Sequence, residues 1–164
     1  MIDMTLRSST PSAELSRRNF ATGLLAGGVL LACPGGGAHA QAQVRARVFR
    51  TPGCSCCMGW VRHLQANKFT AEVINQDDLS PTKTRLGVPR DLESCHSAEI
   101  DGYVVEGHVP APAIRTLLAL RPAFVGLAVP GMPIGSPGME GPNPERYDVI
   151  AWRPDGSRSV FMRF

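Results

Sequence analysis

An α/β domain with a mixed, α+β-type sheet is the fold class this sequence predicts, on three observations. Short strand-like segments alternate with segments of helical periodicity. The pair Asp101-Gly102 stands between two strand-like runs, as a two-residue hairpin requires. A second pair of such runs closes the chain around the turn "RPDG".

The elements follow in order. "VRARVF" (44–49) alternates apolar and polar residues and predicts a strand. Cys57, Trp60, Val61 and Leu64 recur at helical spacing, so a helix is expected from about Ser55 to about Asn67. "TAEVIN" (70–75) is a second strand. "SPTKTRLG" opens with Ser80 as N-cap and Pro81 at the first helical position, predicting a short helix. "SAEIDGYVVEGH" (97–108) is a hairpin turning at Asp101-Gly102. "PAPAIRTLLALRP" (110–122) is an amphipathic helix with Ile114, Leu117 and Leu118 inward. "YDVIAW" and "SRSVFMRF" form the closing hairpin. The order β-α-β-α-β-β-α is that of a thioredoxin-like fold, with the C-terminal β-hairpin added.

Residues 1–40 are set apart from this domain. The apolar run from Phe20 to Ala32 is short for a bilayer span and carries its charge on the N-terminal side, as a signal peptide does. "SRRNFAT" resembles a twin-arginine signal, with Arg17, Arg18 and Phe20 at the fitting spacing. An ordinary secretory signal that carries two arginines is the plainer alternative. "AHA" (38–40) gives cleavage after Ala40, while "LLAC" ending at Cys33 resembles a lipoprotein box and offers a lipid anchor instead. Cleavage after Ala40 is preferred. Either route leads out of the cytoplasm, to a periplasmic location.

The mature chain is then 41–164, with no internal repeat and no second linker, and reads as a single domain. Of 17 Lys+Arg and 14 Asp+Glu, the leader takes three arginines and two acids, leaving a net charge near +2. So small and dispersed a charge argues against a nucleic-acid or membrane-surface partner, and the mature chain has no membrane span.

The chemistry concentrates in "TPGCSCCMGW" (51–60). Cys54, Cys56 and Cys57 lie between the first strand and its helix, where the helix's positive end favours thiolate over thiol. Cys54 and Cys57 have the spacing of a thiol–disulfide enzyme, but Cys56 between them would compete for either disulfide. Crowded thiolates suit copper(I), which they can bridge. With Asp101-Gly102 as the turn, Ile100 faces Tyr103 and the register carries outward until Cys95 faces His108, about 5 Å apart at Cβ, with His96 on the other face. In a thioredoxin-like fold the loop entering this strand lies beside the cysteine-bearing helix end, so Cys95 and His108 are expected to converge on the first three cysteines. The Gly/Pro-rich loop "GMPIGSPGMEGPNPE" (131–145) holds Met132 and Met139, which are either thioether ligands for copper(I) or apolar plugs that pin the loop. Met58 and Met162 read as packing, His63 as a surface residue of the first helix, and Asp77-Asp78 as part of the loop before Ser80.

The set "TPGCSCCMGWVRHL", "LGVP", "SCHSAEIDGYVVEGHVPAPAI" and "GLAVPGMPIGSPGME" resembles the CopG family of periplasmic copper-resistance proteins, long grouped as a domain of unknown function. The likeness runs from Val48 to Phe164. It implies a thioredoxin-like fold and a multinuclear copper cluster bridged by cysteine thiolates. Carried over residue by residue, Cys54, Cys56, Cys57 and Cys95 match the family's cysteines. His96, His108, Met132 and Met139 match its other ligand candidates. The expected ligand is copper, as more than one copper(I) ion, and the expected partners are other periplasmic copper-handling proteins. Redox handling of the metal, as a copper-dependent oxidoreductase, stays open beside simple sequestration. The competing readings are a thiol–disulfide oxidoreductase using Cys54 and Cys57, a pair of structural disulfides, and a zinc site, the last against the usual zinc spacing.

Overall fold

The computed structural model describes residues 43–164. The expected leader, with Arg17, Arg18, Cys33 and the cleavage position after Ala40, lies outside the described residues.

Among the described residues the chain runs β1 (Arg45–Arg50), α1 (Ser55–Ala66), β2 (Thr70–Asn75), α2 (Ser80–Arg85), β3 (His96–Ile100), β4 (Tyr103–Gly107), α3 (Ala111–Leu120), β5 (Gly126–Val129), β6 (Asp148–Trp152) and β7 (Arg158–Arg163). The order β-α-β-α-β-β-α, the hairpin at Asp101-Gly102 and the closing hairpin all match the sequence reading. One mixed sheet holds seven strands in the order β2-β1-β3-β4-β5-β6-β7. β1 pairs parallel with β2 and β4 parallel with β5, and the remaining pairs are antiparallel.

β5 is the strand the sequence did not announce. All four of its residues are buried. A strand covered on both faces has no polar alternation to betray it. Its parallel pairing needs the crossover that α3 supplies, and β6 then adds to its far side. The closing hairpin therefore extends the main sheet.

Both sheet faces are covered. Trp60, Val61 and Leu64 of α1 and Ile114 and Leu117 of α3 pack with Ala46, Val48, Ala98, Ile100 and Val105. Phe49, Leu79, Leu86, Leu92, Val104 and Trp152 form a second cluster. Val48 and Phe49 fall in different clusters, as adjacent strand residues must. Met58 and Met162 pack against the first cluster, as expected.

Local chemistry fixes the ends. Asp101 (φ 50°) and Gly102 (φ 86°) both take positive φ, the mark of the turn that matches the twist of paired strands. The α2 cap differs from expectation: the Ser80 side chain makes no cap bond, and Asp78 Oδ1 accepts the Ser80 N–H at 2.8 Å. The carboxylate two residues upstream closes the orphan amide in an Asx turn. His63 is also no plain surface residue. It is half-buried, and its Nε2 accepts the Ala111 N–H at 3.0 Å at the start of α3. Pro110 precedes that helix and has no side-chain donor or acceptor, so the neighbouring helix supplies the cap.

Candidate metal centre

β1 ends at Arg50, and Gly53 at φ 81° turns the chain into α1. Cys54 is the N-cap, its Sγ accepting the Cys57 N–H at 3.3 Å. A sulfur thus takes the place that an oxygen usually fills at a helix N-terminus. Cys54 and Cys57 are joined in a disulfide, and Cys56 and Cys95 remain thiols. Cys57 is buried against the core, while the other three cysteines are half-exposed.

Cys95 comes from the segment entering β3, the neighbour of β1 in the sheet. The β3–β4 register pairs Ile100 with Tyr103 and Ser97 with Glu106, as the turn requires, so Cys95 reaches the level of His108. Its Sγ lies 3.8 Å from that of Cys56, and Cys56 Sγ lies 3.4 Å from that of Cys54. One ligand atom from each of Cys54, Cys56, Cys57 and Cys95 falls within 4.8 Å of every other.

A second group shares Cys95. Its Sγ stands 3.0 Å from His108 Nε2 and 3.3 Å from His96 Nδ1. Here the expectation that His96 turns away from Cys95 and His108 is corrected. Alternation holds as far as Ser97 and Glu106, but Gly107 takes φ 69° and ends the pleat. His108 is redirected, and its ring meets the His96 ring edge-on at 5.2 Å. Trp60 lies against the other side of His96 at 4.5 Å.

The histidines are held ready to donate lone pairs. His108 Nδ1 is 2.8 Å from the Pro137 carbonyl and donates to it. Nε2 is then the bare nitrogen, aimed at Cys95. Such a second bond fixes tautomer and ring orientation in metal-ligating histidines. His96 is fully buried, and its Nε2 has no hydrogen-bond partner among the described residues. Burial, with the charges of His108 and Lys83 nearby, holds the His96 imidazole well below its usual range. Burial also lowers His108, against the Pro137 bond that raises it. Both rings therefore favour the neutral, ligating form. Burial and the neighbouring Cys56 push the Cys95 thiol up to about 12, so at neutral pH the thiol keeps its proton. A metal ion would have to displace it.

The loop 131–145 straps the site. Gly138 (φ 90°) packs so closely on α1 that a Cβ there would lie 2.5 Å from the Cys56 carbonyl oxygen and 2.7 Å from the Trp60 nitrogen. This contact delivers the Pro137 carbonyl to His108. Met139 and Cys56 line one open groove with Gly59, Arg62 and Glu140. Met132 is 49% exposed, and the carbonyl of its neighbour Gly131 accepts the Ser94 hydroxyl at 2.9 Å, one residue before Cys95. The donors fit copper: soft sulfur for copper(I), with borderline imidazoles that also accept copper(II).

Sequence reasoning missed the Pro137 carbonyl, the Trp60 wall and a buried Lys83–Glu106 pair behind Cys95. Only Glu106 left a signal, as an acid inside the apolar run of β4.

A family model described as "Protein of unknown function, DUF411" matches residues 92–139, which include Cys95, His96, His108 and both loop methionines. Two solved structures, titled "Copper resistance protein copG" Form 1 and Form 2, are each 44% identical to this chain, with a TM-score of 0.71. Each match covers 74% of this chain and 98% of the other.

The chain belongs to the CopG family. No curated protein matches it. The CopG likeness at this identity extends over most of the chain, well beyond the stretch of the DUF411 model. Among the described residues of this CopG protein, no helix is long and apolar enough to cross a membrane.

Proposed function

We propose that this chain is a periplasmic copper-binding protein of copper resistance, exported by its leader and working as residues 41–164 in a thioredoxin-like frame. It holds more than one copper(I) ion, bridged by Cys54, Cys56, Cys57 and Cys95. His108 and His96 add imidazole nitrogen at Cys95, and Met139 and Met132 are the thioether candidates. The convergence of four sulfurs within 4.8 Å, one of them shared with two imidazoles, carries this reading. Four thiolates exceed what one copper(I) needs, and thiolate sulfur bridges readily.

The Cys54–Cys57 bond sets a condition. Two electrons and two protons must enter it before all four sulfurs become ligands, so loading follows reduction by a dithiol or another two-electron reductant.

The same bond favours a second reading, thiol–disulfide exchange. One cysteine of the pair would attack a partner's disulfide and the other would resolve the mixed disulfide, making Cys95 dispensable. Copper tolerance and disulfide reductase activity, assayed side by side in Cys95→Ser and Cys54→Ser, separate the two. The copper reading expects Cys95→Ser to lose copper tolerance and tight copper binding. Full tolerance in Cys95→Ser, with reductase activity lost in Cys54→Ser, favours exchange.

A further inference from the structure

Behind the sulfur cluster lies a pair of buried charges that the copper reading leaves unused. Glu106 of β4 is fully buried, and Lys83 of α2 is 5% exposed. Lys83 Nζ bonds directly to Glu106 Oε1. Taking two charges out of water is costly even when they pair, and an apolar pair of similar size often serves a fold as well. A buried pair also needs partners for its remaining lone pairs and protons, and where those partners lie decides what the pair holds in place.

The Glu106 carboxylate has two others. Oε1 also accepts the backbone N–H of Ser94 at 2.6 Å, and Oε2 accepts the Ser97 hydroxyl at 2.5 Å. Lys83 Nζ donates to Ser97 Oγ as well, at 3.3 Å. Ser94 and Ser97 bracket Cys95 and His96. Glu106 itself sits two residues before His108, with only Gly107 between. A Cβ at Gly107 would lie 2.6 Å from the Ser94 Cβ, so β4 and the segment entering β3 meet there without room for a side chain. One carboxylate therefore ties both ends of the Cys95–His96 segment to the strand that presents His108.

We propose that Glu106, steadied by Lys83, is a positioning residue of the copper site that sets the separation of Cys95 Sγ from His108 Nε2. The proposal rests on the copper reading above. It assigns the pair to ligand placement and predicts that stability and copper affinity can be uncoupled.

The test compares variants of the exported, processed protein, with copper(I) as the probe under anaerobic reducing conditions. Affinity is read by competition with a chromogenic chelator, and folding by thermal unfolding of the metal-free protein. Lys83→Met/Glu106→Leu replaces the pair by apolar side chains. It should stay folded and unfold near the wild-type temperature, the gain from removing two buried charges offsetting the acceptors lost to Ser94 and Ser97. Yet it should bind copper(I) about 10- to 100-fold more weakly, the usual range for lost outer-shell partners. Lys83→Met/Glu106→Gln keeps an amide oxygen for the Ser94 N–H and should stay within about threefold of the wild type, a rescue expected if that bond positions the site. A folded Leu variant with wild-type affinity overturns the proposal. If the Leu variant does not fold, Ser97→Ala decides, since it removes one hydroxyl. An unchanged unfolding temperature with affinity at least about threefold weaker supports positioning, and wild-type affinity overturns it. A wild-type protein that takes up no copper(I) removes the copper reading and this proposal with it. One that binds while the folded Leu variant binds equally removes only the positioning role.

Discussion

Cys95 belongs to both candidate ligand groups, and its position follows from a register that one Asp-Gly turn dictates. The same register, with Gly107 ending the pleat, buries His96 as a neutral ring between Trp60 and His108. That burial has a consequence for pH. Both His96 and His108 titrate below the ordinary 6.5, so below that pH the unfolded chain binds protons that the folded chain refuses. Stability is complete above about pH 6.5 and is lost as pH falls toward the folded values. The slope approaches about 1.4 kcal/mol per pH unit for each histidine while only the unfolded state is protonated. Denaturant unfolding of the metal-free protein from about pH 7 to about pH 5 should show this loss, and His96→Leu should flatten it. An unchanged slope in His96→Leu would remove His96 from the acid sensitivity.

At the level of elements, much of the fold was legible because the periodicities and turn chemistry agree with the tertiary structure. α1, β2 and the two hairpins lie where their patterns put them. β5 was not legible, because four residues buried on both faces carry no period. Nor was the strap 131–145, whose path depends on backbone contacts. Its Gly/Pro content and two methionines left it open between ligand loop and apolar plug, and did not show that Gly138 would press on α1 or that Pro137 would orient His108. The strap gives a direct test. Gly138→Ala should cost about 1–3 kcal/mol from its positive φ, plus more for the clash with the Cys56 carbonyl. It should also weaken copper binding by loosening the His108 bond. Gly131→Ala has a positive φ but open space around its Cβ, so it should lose less stability and keep copper affinity. Equal effects from the two substitutions, read by unfolding and copper titration, would deny the strap its role.

At the scale of the whole molecule, the cysteines stood out in the sequence, and their convergence was argued from the thioredoxin-like order of elements. The set of outer contacts around them was not legible, since Lys83, Glu106 and Pro137 meet the site only through long-range packing. Export is assigned to Arg17 and Arg18 in the proposed function. Replacing both with lysine should hold the precursor in the cytoplasm, as cell fractionation would show. Normal export of that variant would leave the twin-arginine route without support.

In the proposed function, four sulfurs act together on copper once the Cys54–Cys57 bond is opened. The most direct measurement is the number of copper(I) ions bound per chain, taken anaerobically on the disulfide form and on the reduced form, for wild type and Cys56→Ser. More than one ion is expected per reduced wild-type chain, fewer on the disulfide form, and fewer on reduced Cys56→Ser with the fold intact. Equal uptake by both redox forms, or by Cys56→Ser and wild type, would contradict it.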